Sequence, residues 1–200
     1  TAKQFKASYS NVIMATMAPS SAGVNNAQVA ILRAFGEREV KGTPQALSWR
    51  IIERFEQMQN PLLILDEAQH LSEKSLEEIR SWADACGVGI ALFGNTGVIQ
   101  RLEGGGRKET FAQLFSRLGM RMVRALPLEG DIVAQAHAWG IHQGELIAQL
   151  RKIAMKPGGL RNSTKALKLG HMLAAADNST LTGVHLQNAW AQLSGQLIAG

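Results

Sequence analysis

Leu62-Leu63-Ile64-Leu65-Asp66-Glu67-Ala68-Gln69-His70-Leu71 joins four consecutive aliphatic residues to an acidic pair. A run that is apolar at every position, bounded by Pro61, predicts a strand buried on both faces, as in a parallel sheet. Asp66 and Glu67 then stand at the carboxyl end of that strand, the edge where open α/β sheets bind their ligands. There a first acid suits the water shell of a Mg²⁺ ion, and a second suits orienting an attacking water. The same pattern also fits a buried strand whose acids merely open the next loop, so the flanking sequence has to separate the two.

Upstream, residues 1–8 read as the latter part of a helix, with Lys3 and Lys6 outside and Phe5 inside. Residues 10–18 are β-branched and apolar up to Pro19, which predicts a strand. Residues 23–35 place Val24, Ala27, Ile31 and Phe35 on one helical face. A charged loop follows over 36–42, and Thr43-Pro44 supplies a cap with proline at the first helical position, opening a helix to about Gln59. Downstream, Ser72 caps a helix with Glu73 in its first turn that runs to about Ala85. Residues 88–93 form another buried strand ending at Gly94-Asn95-Thr96. A short helix, the Gly104-Gly105-Gly106 loop, a helix over about 109–118 and a strand over 120–126 complete the pattern.

Strands alternating with helices of this length predict βαβ units and a mainly parallel sheet. After Pro127 the pattern is helical only, over about 129–139, 143–155, 159–176 and 183–198. The expected organisation is therefore an α/β domain over 1–127 and a small all-helical domain over 128–200.

At 200 residues and 46% hydrophobic content the chain can bury a substantial core, which argues against wholesale disorder. No apolar run has the length of a membrane span, and Thr1–Phe5 carries no hydrophobic leader, so a membrane role is not expected. The single cysteine cannot form an internal disulfide or a Cys-based zinc cluster, and it suits a reducing cytoplasm. The five histidines show no metal-ligand spacing. A net charge of +5 favours an anionic partner such as nucleic acid or nucleotide.

Three polar positions follow the acidic strand in a telling order. Asn95 ends the next strand and, if the two strands are neighbours, reaches the same crevice as Glu67. Its alternative role is that of a turn residue serving local backbone groups. Arg117 lies at a helix end, from which it can project into a neighbouring subunit's phosphate site or simply complement the helix dipole. Arg161, after Gly158-Gly159-Leu160, sits in a first helical turn, where a cation is disfavoured unless an anion is near.

Taken together, a strand ending DEAQHL, a strand ending GN, a helix carrying FAQLFSR (Phe111–Arg117) and a helical region carrying GGLR resemble the AAA+ ATPases, and most closely the phage Mu transposition protein B family. The resemblance also takes in Ala18-Pro19-Ser20 and runs from about Phe5 to the C-terminus. It implies a P-loop NTPase fold, a parallel sheet flanked by helices and followed by a helical lid. Asp66 would be the metal-side acid and Glu67 the catalytic acid. Asn95 and Arg161 would be the two nucleotide sensors, and Arg117 the arginine finger, with Arg107 and Arg121 as alternatives. ATP and Mg²⁺ are the implied cofactors. Double-stranded DNA, bound without strong sequence preference, and a transposase are the implied partners. The implied assembly is a head-to-tail helical filament in the bacterial host cytoplasm, which delivers target DNA and disassembles on hydrolysis.

One departure matters: the G-x-x-x-x-G-K-[ST] phosphate loop is absent, and Gly104-Gly105-Gly106-Arg107-Lys108 has the wrong glycine spacing to replace it. Thr1–Ser8 resembles the helix that directly follows such a loop. The expectation is a phosphate loop just upstream, without which the 200 residues would bind ATP poorly. A different AAA+ ATPase, of the secretion-linked or replication-initiator type, or a non-hydrolysing DNA-binding module would share much of this layout.

For DNA, Arg38, Lys41, Arg50 and Arg54 form a candidate phosphate-contacting face, with Arg50 and Arg54 four residues apart on one helix. The matching region of Mu B-like proteins is also basic. Glu37, Glu39 and Glu53 moderate the face, and a solvated charged surface is the plainer reading. Lys165, Lys168 and His171 form a second basic stripe, with water as its default neighbour. Trp49, Trp82, Trp139 and Trp190 are spaced as core or domain-interface residues.

Overall fold

The structure is a computed structural model that describes residues 2–99 and 119–195. The chain packs as two compact units, Thr1–Arg121 and Met122–Gly200. In the first, the order is α1 (Ala2–Ser8), β1 (Val12–Thr16), a 3₁₀ turn (Pro19–Ser21), α2 (Val24–Ala34), α3 (Pro44–Glu56), β2 (Leu62–Asp66), α4 (Glu73–Cys86) and β3 (Gly89–Leu92). The strands form a parallel sheet in the order β1-β2-β3, with Thr16 level with Asp66 and Leu65 level with Leu92. The aliphatic run is thus the central strand, and Leu63, Ile64 and Leu65 are all at most 2% exposed.

The helix starts follow their capping residues. The Thr43 hydroxyl accepts from the Ala46 N–H at 3.3 Å and the Ser72 hydroxyl from the Ser75 N–H at 3.2 Å. Gly87, at φ +68°, closes α4 with its N–H donating to the Ala83 carbonyl and turns the chain into β3. The core gathers Ile31 and Leu32 of α2, Leu47, Ile51 and Phe55 of α3, Leu63 and Leu65 of β2, and Leu76, Ile79 and Trp82 of α4. Trp82 is fully buried, and its indole N–H donates to the Ser48 hydroxyl at 2.7 Å, so its one polar atom is satisfied.

Two tryptophan and aromatic expectations are corrected. Trp49 is 65% exposed. The buried face of α3 is Leu47, Ile51 and Phe55, and Trp49, two positions from Leu47, points about 200° away from it. Phe5 is 45% exposed because α1 buries no residue; its ring instead stacks on Tyr9, with centroids 4.6 Å apart.

The second unit holds α5 (Glu129–Ala138), α6 (Gly144–Ala154), α7 (Gly159–Ala176) and α8 (Gly183–Leu193), all at or near the expected spans. They close on Ile132, Ala136, Ile141, Leu146, Leu150, Leu167 and Leu186. Thr182 and His185 cap α8: the Thr182 N–H donates to His185 Nδ1 at 3.1 Å, and the His185 Nε2 meets Asp177 Oδ2 at 3.1 Å.

The expected strand over 120–126 is not formed. Residues 119–124 are irregular, and Met120, Met122 and Val123 are 86%, 66% and 61% exposed. Apolar, β-prone sequence makes a strand only where a neighbouring edge takes its backbone hydrogen bonds, and no described strand pairs with this segment. The helix over 109–118 and the triple-glycine loop lie outside the described residues.

Candidate functional site

The site is built at the carboxyl ends of β2 and β3, where the two chains stay hydrogen-bonded past the last strand residues. The Phe93 N–H donates to the Leu65 carbonyl and the Ala68 N–H donates to the Phe93 carbonyl, both at 2.8 Å. On the β1 side the Met17 N–H donates to the Asp66 carbonyl at 2.8 Å. Between these anchors Glu67 adopts φ 55°, ψ 38°, the left-handed conformation that is uncommon for a residue with a side chain. Its N–H donates to Asp66 Oδ1 at 3.0 Å, and its own carboxylate oxygen Oε2 accepts from the Gln69 amide nitrogen. Asp66 is half-buried and Glu67 exposed.

Because β2 and β3 are neighbours, Asn95 does reach this edge. The Asn95 N–H donates to the Gln69 side-chain oxygen Oε1 at 3.4 Å, so a single side chain links Glu67 to the loop after β3. The Asn95 side-chain oxygen accepts from the Gly97 N–H at 2.8 Å, the local turn role noted from sequence. Gln69 is the residue the sequence reading misses. The only hint was a second polar amide two positions beyond Glu67, and its partner across β3 depends on the sheet order.

Arg161 occupies the first turn of α7, exposed, behind Gly158 and Gly159 at φ +104° and +53°. Arg117 and its alternative Arg107 lie outside the described residues; Arg121 is exposed. No three His, Cys, Asp or Glu side chains cluster to hold a metal among the described residues.

The candidate DNA face is more internally paired than its sequence suggests. Glu37, whose side chain is 12% exposed, accepts from Arg50 Nη2 and from Arg54 Nε and Nη2, the latter two at 3.2 and 3.1 Å. Arg50 also donates to the Lys41 carbonyl at 3.4 Å. The loop over 36–42 is thereby fastened to α3, while Arg38 and Lys41 remain exposed. In the second unit, Lys165 and Lys168 are exposed, but the His171 ring stacks on Trp139 with centroids 5.5 Å apart and leaves the solvent stripe. Lys165 and Lys156 line a cavity of about 470 Å³ beside Trp190, and Lys156 Nζ lies 5.2 Å from the Trp190 ring centroid.

A parallel sheet with paired acids at its carboxyl edge and an asparagine in the loop after the neighbouring strand has the layout of a nucleotide-binding α/β protein. Residues 1–102 match the AAA domain family, and residues 116–193 match the family described as Mu B transposition protein, C terminal. The chain belongs to the AAA family, in the group of the Mu B transposition proteins. It is 32% identical over 192 residues to the ATP-dependent target DNA activator B of Escherichia phage Mu, an alignment covering 96% of this chain and 61% of that protein. The protein of the same description from Escherichia phage D108 gives the same identity and coverage. The Mu-like prophage FluMu DNA transposition protein B of Haemophilus influenzae is 32% identical over 165 residues, 82% of this chain and 57% of that relative. The chain thus spans under two thirds of the length of each of these relatives. No helix among the described residues is long and apolar enough to cross a membrane.

Proposed function

We propose that this chain is the nucleotide-hydrolysing and DNA-contacting part of an ATP-dependent target-selection protein of DNA transposition. The observation that carries the reading is the Asp66–Glu67 pair at the carboxyl edge of the central strand, linked through Gln69 to Asn95. The donor set fits Mg²⁺, which takes one or two carboxylates and completes its shell with water and phosphate oxygens. Bound Mg²⁺–ATP would supply the transferable phosphoryl group and the cation that offsets its charge. Asp66 would hold the metal through its water shell, Glu67 would take the proton of the attacking water, and Asn95 would use its amide nitrogen to hold that water or the terminal phosphate. Arg161 would sense the phosphates, and Arg117 would act as the arginine finger toward a neighbouring subunit.

In this reading the helical unit serves as the lid, and subunits join head to tail. An interface of that kind propagates as a filament when its rotation does not close. The filament would lie on duplex DNA, held by phosphate contacts from Arg38 and Lys41, with Arg50 and Arg54 supporting them from α3. It would present target DNA to a transposase in the host cytoplasm, and hydrolysis would favour disassembly.

The test uses the full-length protein with ATP, Mg²⁺ and duplex DNA. DNA-stimulated phosphate release is expected, and Glu67→Gln should lower kcat by at least about 100-fold, the scale of losing a general base. Hydrolysis that survives Glu67→Gln would sink the assignment. For the DNA face, Arg38→Ala with Lys41→Ala should flatten the dependence of log Kd on log salt by about two contacts' worth, roughly 0.9 per phosphate. An unchanged slope removes that face from the proposal.

A further inference from the structure

Gln69 sits where two strand ends meet, and each end of its amide group is engaged. Its nitrogen donates to Glu67 Oε2 and its oxygen accepts from the Asn95 N–H at 3.4 Å. The turn over Ala68–His70 holds it there, because the Ala68 N–H is fastened to Phe93 and the His70 N–H donates to the Glu67 carbonyl at 3.1 Å. The opposite wall is shaped to admit it. A Cβ built at Gly94 would collide with Gln69 Oε1 and stand 2.6 Å from Val98 Cγ2, so a larger residue there would push the Gln69 head from its place.

We propose that Gln69 is a positioning residue for hydrolysis: it fixes the Glu67 carboxylate and couples its orientation to the Asn95 loop. The inference rests on the functional reading above and adds a residue to it. With Oε2 held by the amide N–H, Glu67 is restricted to one rotamer and presents Oε1 to the water it is to deprotonate. The same amide is anchored to the backbone of Asn95, so a shift of the Asn95 loop moves the Glu67 carboxylate with it. Glutamine fits because it carries a donor and an acceptor at one tip; glutamate would lose the donor and set a like charge beside Glu67.

The test is steady-state ATP hydrolysis by the full-length protein, with melting temperature and the amide exchange of Asn95 followed in parallel. Gln69→Met keeps the size of the side chain and removes both hydrogen bonds. It should lower kcat about 10-fold with the KM for ATP unchanged, leave the melting temperature within about 2 °C, and speed exchange of the Asn95 N–H. Gln69→Glu should lower kcat further. In a Glu67→Gln background, Gln69→Met should cost much less than in the wild type, because the proposed role acts through the Glu67 carboxylate. A wild-type kcat in Gln69→Met overturns the role, as does a loss that persists undiminished in the Glu67→Gln background. If Glu67→Gln alone keeps wild-type hydrolysis, the functional reading fails and this role falls with it. If Glu67→Gln is inactive and Gln69→Met is normal, only this inference fails.

Discussion

Removing the Glu37 carboxylate tests whether the basic face is first a structural device. Glu37 is the shared acceptor for Arg50 and Arg54, with its side chain 12% exposed while the two arginine side chains are 39% and 49% exposed. A shielded charge-assisted hydrogen bond nets about 1.5–3 kcal/mol, whereas a fully exposed ion pair contributes about 0.2–1 kcal/mol. This cluster lies between, with solvent screening the guanidinium side, so Glu37→Ala should cost about 1–2 kcal/mol in total. The reverse deletion should cost more. Arg50→Ala with Arg54→Ala leaves a mostly buried carboxylate without cations, about 2–4 kcal/mol, whereas freed arginines can turn to water.

Urea unfolding followed by tryptophan fluorescence, to which the buried Trp82 contributes, reads this directly. With a slope of about 1–2 kcal/mol per molar urea, Glu37→Ala should lower the midpoint by about 1 M. The same variant releases two cations at the candidate DNA face, so DNA affinity at low salt should rise even as stability falls. Two results refute the reasoning: a midpoint unmoved by Glu37→Ala, or an arginine pair deletion that costs less than the Glu37 deletion.

Two further outcomes follow from particular residues. Glu67 holds φ 55°, so Glu67→Gly removes a strain of about 1 kcal/mol and should melt at or above wild type, whereas Glu67→Val should melt several degrees lower; equal melting of Gly and Val variants would show that the left-handed conformation carries no cost. Burial pushes the Cys86 thiol above its ordinary value of 9.0, with Glu56 adding to the rise and a Val88 backbone bond opposing it, and the thiol donates to the Trp82 carbonyl at 3.1 Å. A raised thiol pKa favours the neutral form in the folded state. Its contribution is therefore complete below pH 9.0 and is lost as pH climbs through the raised value. Alkylation by iodoacetamide at pH 8 should be slower than for a free cysteine peptide, and stability should fall faster above pH 9.0 than in Cys86→Ala; parallel pH curves would count against the burial effect.

What the sequence disclosed depended on the range of the interactions. The central strand was legible because four aliphatics in succession leave no polar face, and the starts of α3 and α4 because Thr43 and Ser72 cap through bonds three residues away. Trp49 was misread because helical spacing assigns an apolar residue to a stripe only when its neighbours on the wheel are known, and here Leu47, Ile51 and Phe55 already fill that stripe. The clamp on Glu37 was invisible as a contact: four cations and three carboxylates lie between residues 37 and 54, and charge counting does not say which of them meet. The segment over 120–126 shows the limit from the other side, since strand propensity without a paired edge produces exposed, irregular chain.

The Glu67 turn suggests why so much of the site reduces to backbone pairing. A left-handed residue with a side chain costs about 1 kcal/mol or more, and an unsupported turn would relax to a commoner conformation. Here the residue after it is fastened to Phe93 and the residue before it to Met17, and Asp66 Oδ1 takes the Glu67 N–H. The first two of these bonds run to the chain leaving the neighbouring strands, and the third is local to the turn. The direction of the Glu67 carboxylate is thus inherited from the sheet, and its final rotation is set by a side chain, Gln69. A site constructed in this way should tolerate changes on the surrounding helices, such as at Trp49, with little effect on kcat. It should respond sharply to changes at Gly94, where added bulk would displace Gln69 without touching either carboxylate.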